Sequence, residues 1–206
     1  MSPGNDWFTA AEVFLNGDYC LPFTTPTIRS IADLGGNVGY ATVFLGRMFP
    51  EASIDVFEPH PAHVGALREN IVLNEMRQRV SVHPFAAGAS CRSFYLTDAD
   101  TCSSLVSNSG NGSIPVEVID WLAFAESRKI DMLKMDIEGA EYEILFDPRF
   151  EKLRIPVICV EWHVRAGEQR PSVPERLRSI GYRVTEGAER TIPNLRYAMV
   201  WAMLAD

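Results

Sequence analysis

Short apolar segments alternate with longer segments of helical periodicity from Ile28 onward. Residues 53–59 and 80–88 are predicted strands, and between them residues 63–75 repeat apolar side chains at intervals of three and four, as a helix does. A chain of this kind folds as a mostly parallel sheet, because each helix carries the chain back to the edge where the next strand begins. The sequence therefore predicts an α/β fold with a doubly wound, Rossmann-like sheet covered by helices on both faces.

Two parts of the sequence depart from this alternation. Residues 92–98 and 114–120 are both predicted strands with a polar loop between them, which indicates a β excursion from the main sheet. Near the end of the chain, residues 181–187 and 196–204 are predicted strands joined by a turn near Pro193, which indicates an antiparallel edge.

Residues 1–27 precede the alternation and are predicted to form an N-terminal cap segment, ahead of a single domain formed by residues 28–206. Thr9 and Glu12 have the spacing of a capping box, and Gly17 is typical of a residue that ends a helix. Two interpretations of this segment stay open. It is either a helix that packs on the edge of the domain or a lid over a pocket.

The composition narrows the class of partner. The 206 residues carry a formal net charge of -8, whereas proteins that bind nucleic acid usually present a basic face. The longest wholly apolar run, residues 198–205, is too short to cross a bilayer, and no segment has the pattern of a signal peptide. We therefore expect a cytoplasmic protein that acts on a small molecule and binds neither nucleic acid nor membrane. Its oligomeric state is open.

A glycine-rich turn follows the first predicted strand. Asp33 ends the strand, Gly35, Gly36 and Gly39 follow, and a helix starts at once. In a doubly wound sheet such a turn lies where ligands bind, and glycine lets the backbone approach a ligand closely. The pattern predicts a nucleotide-type cofactor at the carboxyl end of the first strand.

The spacing of this turn discriminates between cofactors. A dinucleotide fingerprint has glycine where this chain has Asn37 and Tyr40. The carboxylate of Asp33 would repel a pyrophosphate and would favour a positively charged ligand such as S-adenosylmethionine. Glu58 ends the second predicted strand, where an acidic side chain can accept hydrogen bonds from both ribose hydroxyls. Together the two carboxylates predict S-adenosylmethionine as the cofactor.

Several stretches of the sequence carry a resemblance to a known family: ADLGGNVGYATVFL, FEPHPAHVGALRENIVLN, CSSLV, LKMDIEGAEYEIL and VEWH. From about residue 14 to residue 165 the chain resembles the FkbM-type methyltransferases, a branch of the class I S-adenosylmethionine enzymes. The resemblance implies a seven-stranded sheet in the order 3-2-1-4-5-7-6 with the last strand antiparallel. It also implies O-methylation, often of sugars or natural-product hydroxyls. The family loop has alanine at the position of Gly36, which we expect to be a small change that keeps the backbone path.

With this strand order, the ends of strands 4 and 5 lie beside the glycine turn. Strand 4 ends in Asp136, and strand 5 carries Glu161 and His163 on one face. These three are the predicted catalytic residues. His163 is the expected base, because the unperturbed pKa of histidine is near neutral, and Asp136 orients the substrate or acts as base itself. A divalent cation, Mg²⁺ or Mn²⁺, is an alternative route, and its candidate ligands are Asp136, Glu138, Glu161 and His163.

The residues predicted to bind the cofactor lie at strand ends or in the polar loop of the β excursion. They are Asp33, Gly35, Gly36, Asn37, Gly39, Glu58, Pro59, Ala86, Ala87, Ser104 and Asp136. The adenine is expected near Phe85 and the two alanines that follow it, since small side chains leave room for a flat ring. Ser103 is a further candidate contact.

Other classes of function stay open at this point. An NAD-dependent dehydrogenase or epimerase would share the use of Glu58, although the fingerprint glycines are missing. A cofactor-binding module without activity is also open, and the polar groups at Asp136, Glu161 and His163 argue against it. An RNA methyltransferase is disfavoured by the acidic charge.

Overall fold

The secondary structure follows the predicted alternation of strands and helices. The structure is a computed structural model that describes residues 5–96, 105–106 and 113–205. Numbered along the chain, the strands are β1 (Ser30–Leu34), β2 (Ser53–Phe57), β3 (Val80–His83), β4 (Ala86–Gly88), β5 (Arg92–Leu96), β6 (Leu105–Val106), β7 (Ile114–Asp120), β8 (Met132–Met135), β9 (Val157–Arg165), β10 (Tyr182–Glu186), β11 (Arg190–Ile192) and β12 (Leu195–Leu204). The α-helices are α1 (Asn5–Ala11), α2 (Tyr40–Met48), α3 (Pro61–Leu73), α4 (Trp121–Glu126), α5 (Glu141–Leu145), α6 (Pro148–Leu153) and α7 (Val173–Ser179).

The main sheet has the strand order that the sequence predicted. Seven of its strands lie in the order β3-β2-β1-β8-β9-β12-β10, which is 3-2-1-4-5-7-6 when these seven strands are counted along the chain. Neighbouring strands pair in parallel along the part of the sheet formed by β3, β2, β1, β8 and β9. The strand β12 is antiparallel to both of its neighbours, β9 and β10. The predicted doubly wound sheet is confirmed.

One strand of the main sheet was not predicted. The short strand β11 pairs with β12, so that this sheet has eight strands in the described part of the chain. A turn at Pro193 and Asn194 joins the two strands, and Asn194 has a φ of 68°, which asparagine tolerates better than most residues. Three residues are too few to give a periodicity signal, which is why the sequence did not indicate β11.

The predicted β excursion forms a second sheet of β4, β7, β5 and β6, in that order. The predicted strand 80–88 is divided between the two sheets, since β3 belongs to the main sheet and β4 pairs with β7. Pro84 stands at the division, and proline cannot donate a backbone hydrogen bond to continue a ladder.

The N-terminal segment begins its helix earlier than the capping box predicted. The helix α1 starts at Asn5, so Thr9 lies within it, and a π-helical turn follows from Glu12 to Asn16. Gly17 ends this turn with a φ of 72°, as predicted. Val13 is buried in the core, so this part of the segment packs against the domain.

Buried apolar side chains cover both faces of the main sheet. One cluster packs the sheet against α4 to α7, and the other packs it against α2, α3 and the N-terminal segment. In the described residues we find no helix with the length and apolar character that a membrane span requires.

The glycine turn brings two strand ends into close contact. Gly35 has a φ of 83°, and a Cβ atom placed there would lie 1.8 Å from the backbone oxygen of Asp136. A Cβ at Gly36 would lie 2.3 Å from Cγ2 of Val56. Val56 is β-branched and buried in β2, so it has little freedom to move away. Alanine at position 36 would therefore force a shift of Val56 in this chain, while the expectation that Gly36 keeps the backbone path of the family stays a prediction.

We predict that Gly35→Ala destabilises the protein more than Gly167→Ala. Both glycines have a φ of 83°, but nothing lies within 4 Å of a Cβ at Gly167. Gly167→Ala therefore meets only the left-handed backbone cost of about 1–2 kcal/mol, whereas Gly35→Ala adds about 1–3 kcal/mol because the ends of β1 and β8 must separate. Urea unfolding measures both changes, and equal losses would contradict the close approach.

Candidate functional site

A cleft lies at the carboxyl ends of β1 and β8, where the order of the strands reverses. It encloses about 650 Å³, including open solvent at its mouth. The predicted cofactor residues that line it are Gly35, Asn37, Glu58, Pro59, Ala86, Ala87 and Asp136. Side chains that the sequence analysis did not predict also line it, and they include Phe57, His63, Leu96 and Ile137. We refer to it as the first cleft.

Other predicted cofactor residues do not line the first cleft. Gly36 and Gly39 belong to the turn behind it, where Gly39 precedes α2 with a φ of 97°. Phe85 is partly exposed outside the cleft. Ser103 and Ser104 lie outside the described residues.

Asp33 lies beneath the glycine turn and is fully buried. Its Oδ2 accepts a hydrogen bond of 2.6 Å from the hydroxyl of Thr42, and its Oδ1 lies 3.1 Å from Nζ of Lys134. The negative charge of Asp33 is thus compensated inside the protein. The argument that an uncompensated carboxylate here selects a cationic ligand is therefore wrong, and direct contact between Asp33 and a cofactor stays a prediction.

Lys134 is the compensating cation, and the sequence analysis assigned it no role. It is buried in β8, donates a hydrogen bond to the backbone oxygen of Gly35, and lies 4.0 Å from Oδ2 of Asp136. Burial alone would lower the pKa of Lys134, but the carboxylates of Asp33 and Asp136 outweigh it and raise the pKa, so the ammonium keeps its charge. The signal was present in the sequence: Lys134 is the one charged residue in the apolar strand MLKM.

Glu58 is held in a fixed orientation at the wall of the first cleft. Its Oε2 accepts a hydrogen bond of 2.8 Å from the backbone N–H of Asn37, and its Oε1 accepts one of 2.8 Å from the N–H of His60. Each carboxylate oxygen can accept a second hydrogen bond. Oε1 also lies 3.6 Å from Nδ1 of His63. A carboxylate held in this way suits a ligand that carries neighbouring hydroxyls, as a ribose does.

The predicted catalytic residues come together at the ends of β8 and β9. One ligand atom each from Asp136, Glu161 and His163 lies within 4.8 Å of the others. From Nε2 of His163 the distances are 3.9 Å to Asp136, 3.8 Å to Glu138 and 4.0 Å to Glu161. Three of the four candidate metal ligands, Asp136, Glu161 and His163, therefore surround one small volume, and Glu138 is close to His163.

Glu141 on α5 sets the charge of this cluster, and the sequence analysis missed it. Its fully buried carboxylate accepts hydrogen bonds from the backbone N–H groups of Ile137 and Gly139 and lies 3.1 Å from Nδ1 of His163. It thereby holds the loop after β8, in which Glu138 has a φ of 56°. The signal in the sequence is a glutamate in the first turn of a helix, two residues after Gly139, where a negative charge faces free backbone N–H groups.

His163 was expected to act as the base because a histidine ordinarily has a near-neutral pKa and is largely uncharged at neutral pH. Its surroundings in the structure favour the charged form. Burial alone would lower the pKa of His163, but the hydrogen bond and the charge of Glu141 raise it to about 10, helped by Asp136 and Glu138. The side chain is then an imidazolium at neutral pH and has no free lone pair for a proton. The premise of a near-neutral pKa is wrong. Burial and the charge of Asp136 instead raise the pKa of Glu161 to about 8.

Two further clefts border this cluster. The second cleft, of about 600 Å³, shares Ile137, Glu138 and Ala140 with the first and reaches His163. The third cleft, of about 340 Å³, lies between the N-terminal segment and β12 and reaches Glu161. Each of the three clefts is therefore lined by at least one residue of the cluster.

We predict that Glu141→Gln lowers the pKa of His163 by more than one unit, because the charged acceptor of its Nδ1 proton is lost. NMR titration of the imidazole signals in chelator-treated buffer measures this. Glu143→Gln, on the same helix but paired with Arg92, is the control and leaves the pKa unchanged. Since the folded pKa of about 10 lies above the ordinary 6.5, the stability that His163 contributes is present below about pH 6.5 and is lost as the pH rises towards 10. Identical imidazole titration curves for the wild-type protein, Glu141→Gln and Glu143→Gln would contradict the role of Glu141 in raising the pKa of His163.

Known proteins with similar sequences and folds include methyltransferases. The chain is 25% identical to Methyltransferase sdnD of Sordaria araneosa over an alignment 238 positions long. The match covers 97% of this chain and 90% of that protein. The structure of Methyltransferase FkbM from Methylobacillus flagellatus superimposes with a TM-score of 0.56 at 14% identity, over 92% of this chain but only 47% of that one. TYW2 of M. jannaschii in complex with AdoMet gives a TM-score of 0.50 at 15% identity, over 91% of this chain and 74% of that one.

A family model described as the Methyltransferase FkbM domain matches residues 33–184. The matched region contains the glycine turn, Glu58, the cluster at the ends of β8 and β9, and most of the main sheet. Because the match extends over well more than half of the 206 residues, this protein belongs to the FkbM methyltransferase family.

Proposed function

We propose that the protein is an S-adenosylmethionine-dependent O-methyltransferase that transfers a methyl group to a hydroxyl of a small molecule of the sugar or natural-product type. The observation that carries the proposal is the position of the catalytic cluster. Asp136 lines the first cleft and also belongs to the cluster with Glu161 and His163. A cofactor in the first cleft would present its reactive end to groups that can handle a proton. Membership of the family supports the transfer of a methyl group.

The first cleft suits S-adenosylmethionine in its shape and its polar groups. Glu58 would accept hydrogen bonds from the ribose, and the small side chains of Ala86 and Ala87 leave room for the adenine. The complex of TYW2 with AdoMet shares the fold and supports the same class of cofactor. A dinucleotide is disfavoured, because Asn37 and Tyr40 replace two glycines of the dinucleotide fingerprint.

Methyl transfer is an in-line displacement, in which the acceptor oxygen, the methyl carbon and the sulfur must be collinear. Holding two reactants in that alignment contributes on the order of 7–11 kcal/mol in favourable cases. The clefts that border the cluster give the acceptor a place beside the cofactor. The chain's main contribution is therefore to bind and align both molecules.

The acceptor hydroxyl must lose a proton as its oxygen attacks. In our proposal Glu161 takes that proton in its ionised form, which predominates above a pH of about 8, and Asp136 orients the hydroxyl. His163 supplies a positive charge about 4 Å from both carboxylates. Its imidazolium is fixed by Glu141, so it stabilises the negative charge of the cluster and does not accept the proton itself.

A divalent cation is the second candidate route. Asp136, Glu138, Glu161 and His163 are the residues that would hold Mg²⁺ or Mn²⁺, and carboxylate oxygens suit both ions. A bound cation would lower the pKa of the acceptor hydroxyl and would replace the need for a protein base.

We predict that the protein binds S-adenosylhomocysteine and does not bind NAD at comparable concentration, as measured by isothermal titration calorimetry. Glu58→Gln weakens binding of S-adenosylhomocysteine by about 5- to 150-fold, since a charge-assisted hydrogen bond worth about 1–3 kcal/mol is lost. Glu69→Gln, an exposed glutamate on α3, is the matched control and leaves the affinity unchanged. Preference for NAD would support a dehydrogenase or epimerase, and binding of neither ligand would refute the proposal.

We predict that Glu161→Gln lowers kcat by about 10²–10⁴-fold, the usual loss for a general base, while the affinity for S-adenosylhomocysteine stays the same. Radiolabel transfer from S-adenosylmethionine to a panel of hydroxylated acceptors measures this. Wild-type activity is expected to survive treatment with EDTA. Loss of activity with EDTA and recovery with Mg²⁺ or Mn²⁺ would instead establish the metal route. A wild-type protein that binds the cofactor but methylates nothing would favour a module without activity.

A further inference from the structure

A tyrosine from the N-terminal segment reaches the catalytic cluster. The hydroxyl of Tyr19 donates a hydrogen bond of 3.1 Å to Oδ2 of Asp136, although 117 residues separate the two in sequence. Tyr19 is 5% exposed, and its ring lies against the ammonium of Lys134 at 5.5 Å. The match to the family model begins at residue 33, so Tyr19 lies ahead of it.

The two oxygens of Asp136 face different surroundings. Oδ2 faces the hydroxyl of Tyr19 and, at 4.0 Å, Nζ of Lys134. Oδ1 faces Nε2 of His163 at 3.9 Å. The terminal torsion of an aspartate is broad, so a carboxylate without a fixed partner takes up many orientations. A hydrogen bond to one oxygen restricts that freedom and thereby favours one direction for the other oxygen.

An ion pair anchors the segment that carries Tyr19. Both oxygens of the neighbouring Asp18 accept hydrogen bonds of 3.0 Å from Arg190 on β11, a bidentate geometry that restrains orientation as well as distance. Gly17, with its φ of 72°, turns the chain just before Asp18, and the N–H of Cys20 closes the turn on the backbone oxygen of Gly17. The ion pair of Asp18 and the turn from Gly17 to Cys20 therefore restrain the backbone on both sides of Tyr19.

From this geometry we infer that Tyr19 is a positioning residue for methyl transfer: it fixes the carboxylate of Asp136 so that its second oxygen faces the acceptor, and the ion pair between Asp18 and Arg190 holds Tyr19 in place. The inference rests on the proposed function, since it gives Asp136 a role towards an acceptor. It makes the N-terminal segment a part of the active site as well as a packed cap.

The test compares Tyr19→Phe with Tyr182→Phe. Tyr182 is also buried, and its hydroxyl also makes one hydrogen bond, of 2.8 Å, but to the backbone oxygen of Ile155. Each variant loses one buried hydrogen bond, so both lower the Tm by about 2–4 °C. Only Tyr19→Phe is expected to lower kcat, by at least about 10-fold, with the affinity for S-adenosylhomocysteine changed less than about twofold. Equal kcat values for the two variants would overturn the inference.

Two further measurements keep the test decisive. Arg190→Gln keeps the hydroxyl group of Tyr19 but removes the ion pair that anchors its segment. It should therefore lower kcat by a smaller factor than Tyr19→Phe does, and an unchanged kcat would remove the ion pair from the proposal. A crystal structure of Tyr19→Phe with S-adenosylhomocysteine should show the carboxylate of Asp136 turned from its present orientation, and an unchanged carboxylate would overturn the positioning role. This last measurement needs no acceptor, so it stands even if wild-type protein methylates nothing and the proposed function fails.

Discussion

The ion pair between the buried ammonium of Lys134 and Asp33 is the interaction on which the site depends. Lys134 on β8 thereby joins the ends of β1 and β8, the two strands at which the strand order reverses. It pairs with Asp33 on β1 and donates a hydrogen bond to the backbone oxygen of Gly35 in the glycine turn. Removing one partner of a buried ion pair usually costs about 3–5 kcal/mol, because the other charge is left without compensation. At the same point Gly35 and Asp136, which both line the first cleft, approach each other closely, since a Cβ at Gly35 would lie 1.8 Å from the backbone oxygen of Asp136.

A second compensated charge lies one strand further along. His163 stands among the carboxylates of Asp136, Glu138, Glu141 and Glu161, and the buried Glu141 keeps the imidazole protonated. Lys134 and His163 thus supply the positive charges that let several acidic groups share a small volume. Glu161, whose pKa is raised to about 8, lines the third cleft.

Much of the site could be predicted from the sequence, because the carboxyl ends of parallel strands meet at one edge of a sheet. Once the strand order was expected, Asp136, Glu161 and His163 had to lie near one another, and the structure places them together. The roles of these groups could not be predicted in the same way. Asp33 was expected to carry a charge open to a ligand, but Lys134 compensates that charge, and the pKa of His163 was expected to be near neutral and is raised to about 10. In both cases the deciding partner is a side chain whose direction depends on the packing of the whole sheet.

The sequence by itself determined the alternation of strands and helices, the glycine turn, the end of the N-terminal helical segment at Gly17, and the family. These are local patterns, in which the residues that produce a feature are close neighbours in the chain. Only the tertiary structure decided the division of residues 80–88 between two sheets, the buried partners of Asp33 and His163, and the contact of Tyr19 with Asp136. The physical reason is that the charge state and orientation of a buried group depend on which distant residues exclude water from it and pair with it, and that information appears only when the chain has folded.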